Sequence, residues 1–359
     1  MTNGSGGLLA TDDAFKSLGL NPDNVEPWED GRRLREPCSE GSYEWWYCDA
    51  HLNDGYFCVA SHHIDIGPGG ENRPFVNLNI VKDGKVLCDA KVPVAIDQCS
   101  FSEDKCDAVL GSHFFRSVEG LSRYHVRVDP SQTGGFGLDL TFESVVPAYR
   151  PGTGHLAVGD RYFAWLAAVP GATVNGQLYV ADQPVQVTGN GYHDHNWGNV
   201  PIDHLISDWL WGRAEVDGKI VIASATNLRP EFGSFQLGAL YMAEPGRGLL
   251  VDAYGDEVVC LDGAGIAQPD TGKRISSDCI YFAKNGENEI SVRFDGRGNV
   301  ISSFPFANSS SEWETWSTRY GAVITIDERH ADGRTTRSSG PGTLENLDFF
   351  ARRVKPRTS

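Results

Sequence analysis

No apolar run in these 359 residues approaches the roughly 18 that a helix needs to cross a bilayer. The opening Met-Thr-Asn-Gly-Ser-Gly-Gly lacks the basic start and apolar middle of a secretory leader, so a cytoplasmic location is the expectation. Positive charge is scarce: 31 Lys and Arg face 48 Asp and Glu, giving a net charge of −17. A chain this acidic repels phosphate backbones and anionic lipid surfaces, which argues against nucleic-acid partners and stable membrane insertion. The basic stretch Arg352-Arg353-Val354-Lys355-Pro356-Arg357 is a local exception and reads as a solvated end. The eight cysteines contain no C-x-x-C pair, which argues against a structural zinc site. They read as reduced, mostly buried thiols. No G-x-G-x-x-G follows a strand and no G-x-x-x-x-G-K-[ST] occurs, so a nucleotide cofactor is not expected. Ser61 and Ser224 lack a G-x-S-x-G setting, which leaves a serine hydrolase unsupported. Helical periodicity is also scarce.

What the chain does have is a core. It is 40% hydrophobic and 11% aromatic, which excludes a disordered chain. Residues 1–40 read as a polar arm with one short helix at Asp12–Leu18, capped by Thr11. From Tyr43 onward, short strands alternate with tight turns. Asp54-Gly55 between two apolar runs is a hairpin signal, because both turn positions need φ > 0. The device recurs at Asp83-Gly84, Asn175-Gly176, Asp217-Gly218, Asn285-Gly286 and Asp295-Gly296. Two short helical pieces are expected, at Ile202–Leu205 and Leu344–Arg353. The fold class predicted is all-β, of the sandwich or barrel type.

One internal similarity organises this pattern. The stretch from Glu44-Trp45-Trp46-Tyr47 to Ala60-Ser61 lies over Asp208-Trp209-Leu210-Trp211 to Ala223-Ser224, with Asn53 left over before the turn. Unrelated aromatic hairpins share turn residues by necessity, but here acid-Trp, Ala, Asp-Gly and Ala-Ser all coincide. Duplication is the favoured reading. It implies an arm at 1–40, a first β domain over 41–186, and a second over 187–359 ending in a helix.

The densest chemistry lies in Gly189-Asn190-Gly191-Tyr192-His193-Asp194-His195-Asn196-Trp197-Gly198, with Asp208-Trp209-Leu210-Trp211-Gly212-Arg213 close behind. As a strand, the first stretch puts His193, His195 and Trp197 on one face and Tyr192, Asp194 and Asn196 on the other. Imidazole gives or takes a proton near neutral pH, and an indole face stabilises a developing cation. Three readings compete. The first is acid–base chemistry on an apolar ligand. The second is a metal held by the two histidines with Asp194, His204 or Asp208, although no further ligand stands at a diagnostic spacing. The third is structural, with buried hydrogen bonds tying strands together. The clustering with Asp and Trp favours the first, and no metal is expected. His62-His63 ends the first hairpin, and one of the pair is a candidate to reach the cavity. Glu345 is an outside candidate.

Four motifs then resemble one family: Glu44-Trp45-Trp46-Tyr47, Gly189–Gly198, Trp209-x-Trp211-Gly212-Arg213 and Gly340-x-Gly342-x-x-Glu345. Together they resemble the hydroxyneurosporene synthase (carotenoid 1,2-hydratase) and AttH-like superfamily, to which fungal Diels–Alderases and related cyclases are also similar. The resemblance implies two lipocalin-like β domains, no cofactor, and a hydrophobic small-molecule substrate. In the hydratase branch it implies protonation of a terminal alkene followed by capture of the cation by water. That role would fall on His193, His195 and Trp197, with Asp194 orienting them and Asp208 a less certain addition. Substrate walls would come from Trp45, Tyr47, Tyr192, Trp197, Trp209 and Trp211. The expected function is a cofactor-independent lyase or isomerase that hydrates or cyclises an alkene, epoxide or enone in terpenoid, polyketide or alkaloid biosynthesis. The alternatives are a pericyclase of the Diels–Alderase type, acting by confinement, and a lipocalin-like carrier that returns its ligand unchanged. Oligomeric state is not legible.

Overall fold

The computed structural model describes residues 6–233, 235–297, 299–306 and 313–353. The first five residues and the basic tail beyond 353 lie outside the described residues. The chain divides into two compact units. One holds Leu9–His155 and Arg161–Val200. The other holds the chain from Pro201 onward, together with Leu156–Asp160 and the strand Gly7–Leu8.

The first unit is built on β1 (Tyr43–Leu52), β2 (Tyr56–Ile66), β3 (Asn72–Lys82), β4 (Lys85–Pro93), β5 (Cys99–Phe101), β6 (Asp107–Leu110), β7 (His113–Glu119), β8 (Arg123–Val128), β9 (Gly137–Ser144), β10 (Arg161–Val180) and β11 (Gln183–Gly198). They pair in the order β4-β3-β2-β1-β11-β10-β9-β8-β7-β6-β5. The second unit is built on β12 (Ile206–Val216), β13 (Lys219–Leu228), β14 (Gln236–Glu244), β15 (Gly248–Tyr254), β16 (Val259–Asp262), β17 (Asp278–Asn285), β18 (Asn288–Asp295), β19 (Val300–Phe306), β20 (Trp313–Arg329) and β21 (Thr335–Arg353). Its order is β15-β14-β13-β12-β21-β20-β18-β17-β16, with β19 on β20. Each sheet therefore contains a four-strand meander at one end, whose first strand pairs with the last strand of its unit. The all-β expectation of two lipocalin-like domains in tandem holds, and the aromatic hairpin β1–β2 has its counterpart in β12–β13.

Each unit has its own apolar core. In the first, alternate positions such as Trp46, Cys48 and Ala50 meet Phe115, Leu140 and Phe142. In the second, Leu210, Ala214 and Val216 meet Phe294, Tyr320 and Ile324. All eight cysteines are free and six are buried. Helix α1 (Asp12–Leu18) forms as expected, with Thr11 accepting from the Ala14 amide at 3.2 Å.

Three features depart from the sequence reading, and one short turn forms as expected. The boundary expected at 186/187 falls inside β11, which belongs wholly to the first unit. The helix expected at Leu344–Arg353 is strand, paired on both sides by β12 and β20. Leu344 and Leu347 mimic helical spacing, but Leu347, Phe349 and Ala351 are buried with the period of a strand. Asn175-Gly176 is no turn: it sits within β10, where a side chain on Gly176 would strike the Asp139 carbonyl. The turn comes later, at Ala181-Asp182, where both residues take φ of 51° and 63° without a glycine to signal it. The expected turn at Ile202–Leu205 is a single 3₁₀ turn over Ile202–His204.

Candidate active site

Strand β11 carries the glycine- and histidine-rich stretch, and its glycines let neighbours close in. A side chain on Gly189 would strike the His51 carbonyl, and a Cβ on Gly191 would sit 2.5 Å from the Phe142 ring. β11 is held between β1 and β10, with Asp194 opposite Tyr47 and His195 opposite Trp46. The expected alternation is observed.

His193 and His195 point into the core, and neither is exposed. Each meets a carboxylate. His193 Nδ1 lies 2.9 Å from the Tyr47 carbonyl, which can only accept, so Nδ1 carries a hydrogen. Its Nε2 is 3.0 Å from Asp30 Oδ2, which also accepts from the Tyr124 hydroxyl at 2.7 Å. Burial alone would push the His193 imidazole down. Asp30 and the Tyr47 carbonyl outweigh it and raise the ring above its ordinary range. His195 Nε2 is 2.8 Å from Glu44 Oε1, and Glu44 also accepts from the Arg33 and Leu34 amides at 2.5 and 3.1 Å. The His195 ring stacks on Trp46, with centroids 4.7 Å apart.

Asp30, Cys106 and His193 place one donor atom each within 4.8 Å of one another, the single such group among the described residues. It is not the set that the H-x-H spacing suggested. His193 Nε2 is taken by Asp30, and burial pushes the Cys106 thiol well up, so it stays protonated. These groups form a hydrogen-bonded core rather than an open ligand set.

Asp194 turns the other way, onto the face of the sheet away from the core. Its Oδ2 accepts from the Tyr192 hydroxyl at 2.9 Å and the Trp165 indole at 3.1 Å, and Oδ1 accepts from the Asn196 amide at 2.8 Å. Burial dominates these three donors and pushes the carboxyl up to about 7. Asp194 is buried but retains 8% exposure, where the two histidines have none. The side chains around it are aromatic and, apart from the half-buried Tyr47, buried. Trp45 stacks on Tyr43 at 5.1 Å, and Tyr47 meets Tyr192 edge-on at 6.3 Å. Trp197, on the histidine face, packs at 4.7 Å from His195 and belongs to the core cluster.

Asp208, Trp209 and Trp211 lie in the second unit. Asp208 accepts from Ser207 at 2.8 Å and Asn227 at 2.5 Å, and burial raises its carboxyl. Trp209 donates its indole hydrogen to Glu345 at 3.1 Å, and Glu345 also accepts from Arg319 at 2.7 Å and Ser317 at 3.1 Å. Glu345 sits opposite Trp211, as Asp194 sits opposite Tyr47. Gly189-x-Gly191-x-x-Asp194 and Gly340-x-Gly342-x-x-Glu345 are therefore the same strand positions in the two units. That repeat was present in the sequence. Asp30 and Tyr124 were not legible: they reach His193 from 163 and 69 positions away, from segments with no motif of their own.

No protein-family model matches the chain. Over 209 residues, 48% of its length, it is 42% identical to hydroxyneurosporene dehydrogenase of Chlorobaculum tepidum. The match spans about half of that protein, 53% of it. Among solved structures, the chain is similar to an AttH protein of Nitrosomonas europaea, with TM-score 0.58, 15% identity, and 91% of this chain and 100% of that one covered. It is also similar to CghA solved with Sch210972, with TM-score 0.61, 12% identity, and 92% and 97% covered. Kievitone hydratase from Nectria haematococca gives TM-score 0.53, 13% identity, and 90% and 97% covered. At these identities the structures share the fold. The likeness to the hydroxyneurosporene synthase and AttH-like superfamily holds.

Proposed function

We propose that this chain is a cofactor-independent lyase or isomerase that activates an apolar alkene, epoxide or enone by proton donation, and that Asp194 is the donor. The observation that carries this reading is the Asp194 carboxyl, held near neutrality among aromatic side chains. A carboxylic acid with a pKa of about 7 is half protonated at physiological pH and is a stronger acid than water, the property a general acid needs. Tyr192, Trp165 and Asn196 fix its orientation and satisfy its oxygens once the proton has left. Trp45, Tyr47 and Trp165 offer faces that stabilise a cation next to the acid. His193 and His195 act beneath the strand: paired with Asp30 and Glu44, they hold β11 in place rather than meet substrate. The identity to a hydroxyneurosporene dehydrogenase over half its length supports a terpenoid substrate.

Two results test this reading. Asp194→Asn keeps the shape and removes the proton, so turnover of a terminal-alkene terpene should fall by about 10²–10⁴-fold while binding persists. In the wild type, turnover should decline as pH rises through about 7, because the protonated carboxyl is the active form. An Asp194→Asn variant with full turnover would remove Asp194 from the mechanism.

A further inference from the structure

His62-His63 is a motif that the donor does not use. Neighbours on a strand face opposite ways. His62 enters the core, edge-on to Phe115 at 5.8 Å, and His63 emerges on the face that carries Asp194. The strand pairing continues the Asp194 row sideways: Asp194 opposite Tyr47, Tyr47 opposite Ser61, Ser61 opposite Asn77. The adjoining row is Asn196, Trp45, His63 and Phe75. Two strand spacings put Ser61 roughly 10 Å from Asp194.

His63 is built in. Its ring stacks on Phe75 with centroids 4.3 Å apart and an 11° tilt, and lies 5.6 Å from Trp45 on the same row. Its Nε2 is 2.8 Å from Ser61 Oγ and 3.3 Å from Asn77 Nδ2. An amide NH₂ only donates, so Nε2 is the accepting nitrogen and the Ser61 hydroxyl donates to it. Burial, then Lys91 and His62, hold the imidazole well below its usual range, so it is neutral and Nε2 carries a lone pair.

We infer that Ser61 and His63 form the proton-accepting end of the same reaction, on the same sheet face as the donor. The inference rests on the reading of Asp194 as donor. Asp194 adds its proton to one alkene carbon, and the π electrons leave a cation on the next. Water attacks that carbon through an oxygen lone pair. As the C–O bond forms, the water proton passes to Ser61 Oγ and the Ser61 proton to His63 Nε2. The imidazolium then returns a proton to the Asp194 carboxylate through solvent, so the sum is alkene plus water to alcohol. If a second alkene attacks instead, its π electrons form the C–C bond that closes a ring, and the same pair removes a proton beside the new cation, whose C–H electrons restore an alkene.

The test uses the full chain with neurosporene and shorter terpenes ending in a dimethyl-substituted alkene, in D₂O. Hydration is read beside deuterium washed into recovered alkene, which reports protonation that is not followed by capture. His63→Gln and Ser61→Ala should each lower hydration at least tenfold and raise the ratio of exchange to hydration by a similar factor. A role confined to holding the sheet would lower both together. Asp194→Asn should lose both. Wild-type hydration in His63→Gln, or equal loss of hydration and exchange, would overturn the inference. If His63→Gln does not fold, Ser61→Ala decides by the same ratio. An Asp194→Asn variant that keeps both activities, or a wild type that turns over no terpene, would remove the donor reading beneath it.

Discussion

At the scale of single residues, Asp194 links function to stability. Its folded pKa of about 7 lies above the unfolded value of roughly 3.9. Between these values the folded chain holds a proton that the unfolded chain releases. Stability therefore falls as pH rises from about 4 to about 7, and the loss is complete above that. Melting temperature of the wild type should drop between pH 5 and 8 more steeply than that of Asp194→Asn. Equal slopes would mean that the carboxyl titrates normally. His193 makes the opposite case. Removing it breaks a fully buried ion pair and leaves Asp30 with the Tyr124 hydroxyl and, at 3.6 Å, His195; breaking such a pair typically costs about 3–5 kcal/mol. Urea unfolding of His193→Ala should show a loss of this order, with a smaller loss of turnover per folded molecule than in Asp194→Asn. The sequence displayed both histidines openly but not their surroundings. Alternation on a strand assigns faces, and it cannot say which face a core will cover.

At the scale of elements, β11 depends on its glycines as much as on its polar residues. A Cβ on Gly191 would meet Phe142 at 2.5 Å, Val174 at 2.6 Å and the Asp49 carbonyl at 2.9 Å. Gly342 is its counterpart in β21, where a Cβ would meet Ile324 at 2.6 Å and the Arg213 carbonyl at 2.7 Å. Gly191→Val should destabilise the chain by about 1–3 kcal/mol or more through overpacking, read from its denaturation midpoint. A glycine-rich string that looks catalytic is thus partly a packing device. The hairpins at Asp54-Gly55, Asp83-Gly84 and Asp217-Gly218 were legible because their turn residues declare positive φ, which the structure shows at all six positions. The Ala181-Asp182 turn was hidden because nothing in its residue types announces the same geometry. The final strand reads as a helix in the sequence because Leu344 and Leu347, three apart, fit the helical period and not a strand's alternation.

At the scale of the whole molecule, the chain repeats a strand order, and the copies differ in what surrounds one shared carboxyl position. In the first unit the carboxyl at that position is surrounded by neutral donors, Tyr192, Trp165 and Asn196. In the second, Glu345 is paired with the guanidinium of Arg319 at 2.7 Å. The neutral shell around Asp194 lets burial push its carboxyl up to about 7. The duplication was visible in the aromatic hairpins. The divergence was not, because Trp165 and Arg319 come from strands that the sequence pattern left unpaired. The central claim is that Asp194 is still about half protonated at neutral pH. Carbon-13 NMR of labelled aspartate side chains, assigned by comparison with Asp194→Asn, measures this without any substrate. The account predicts a carboxyl titrating near pH 7 that vanishes in the variant. A midpoint at the ordinary aspartate value would contradict it.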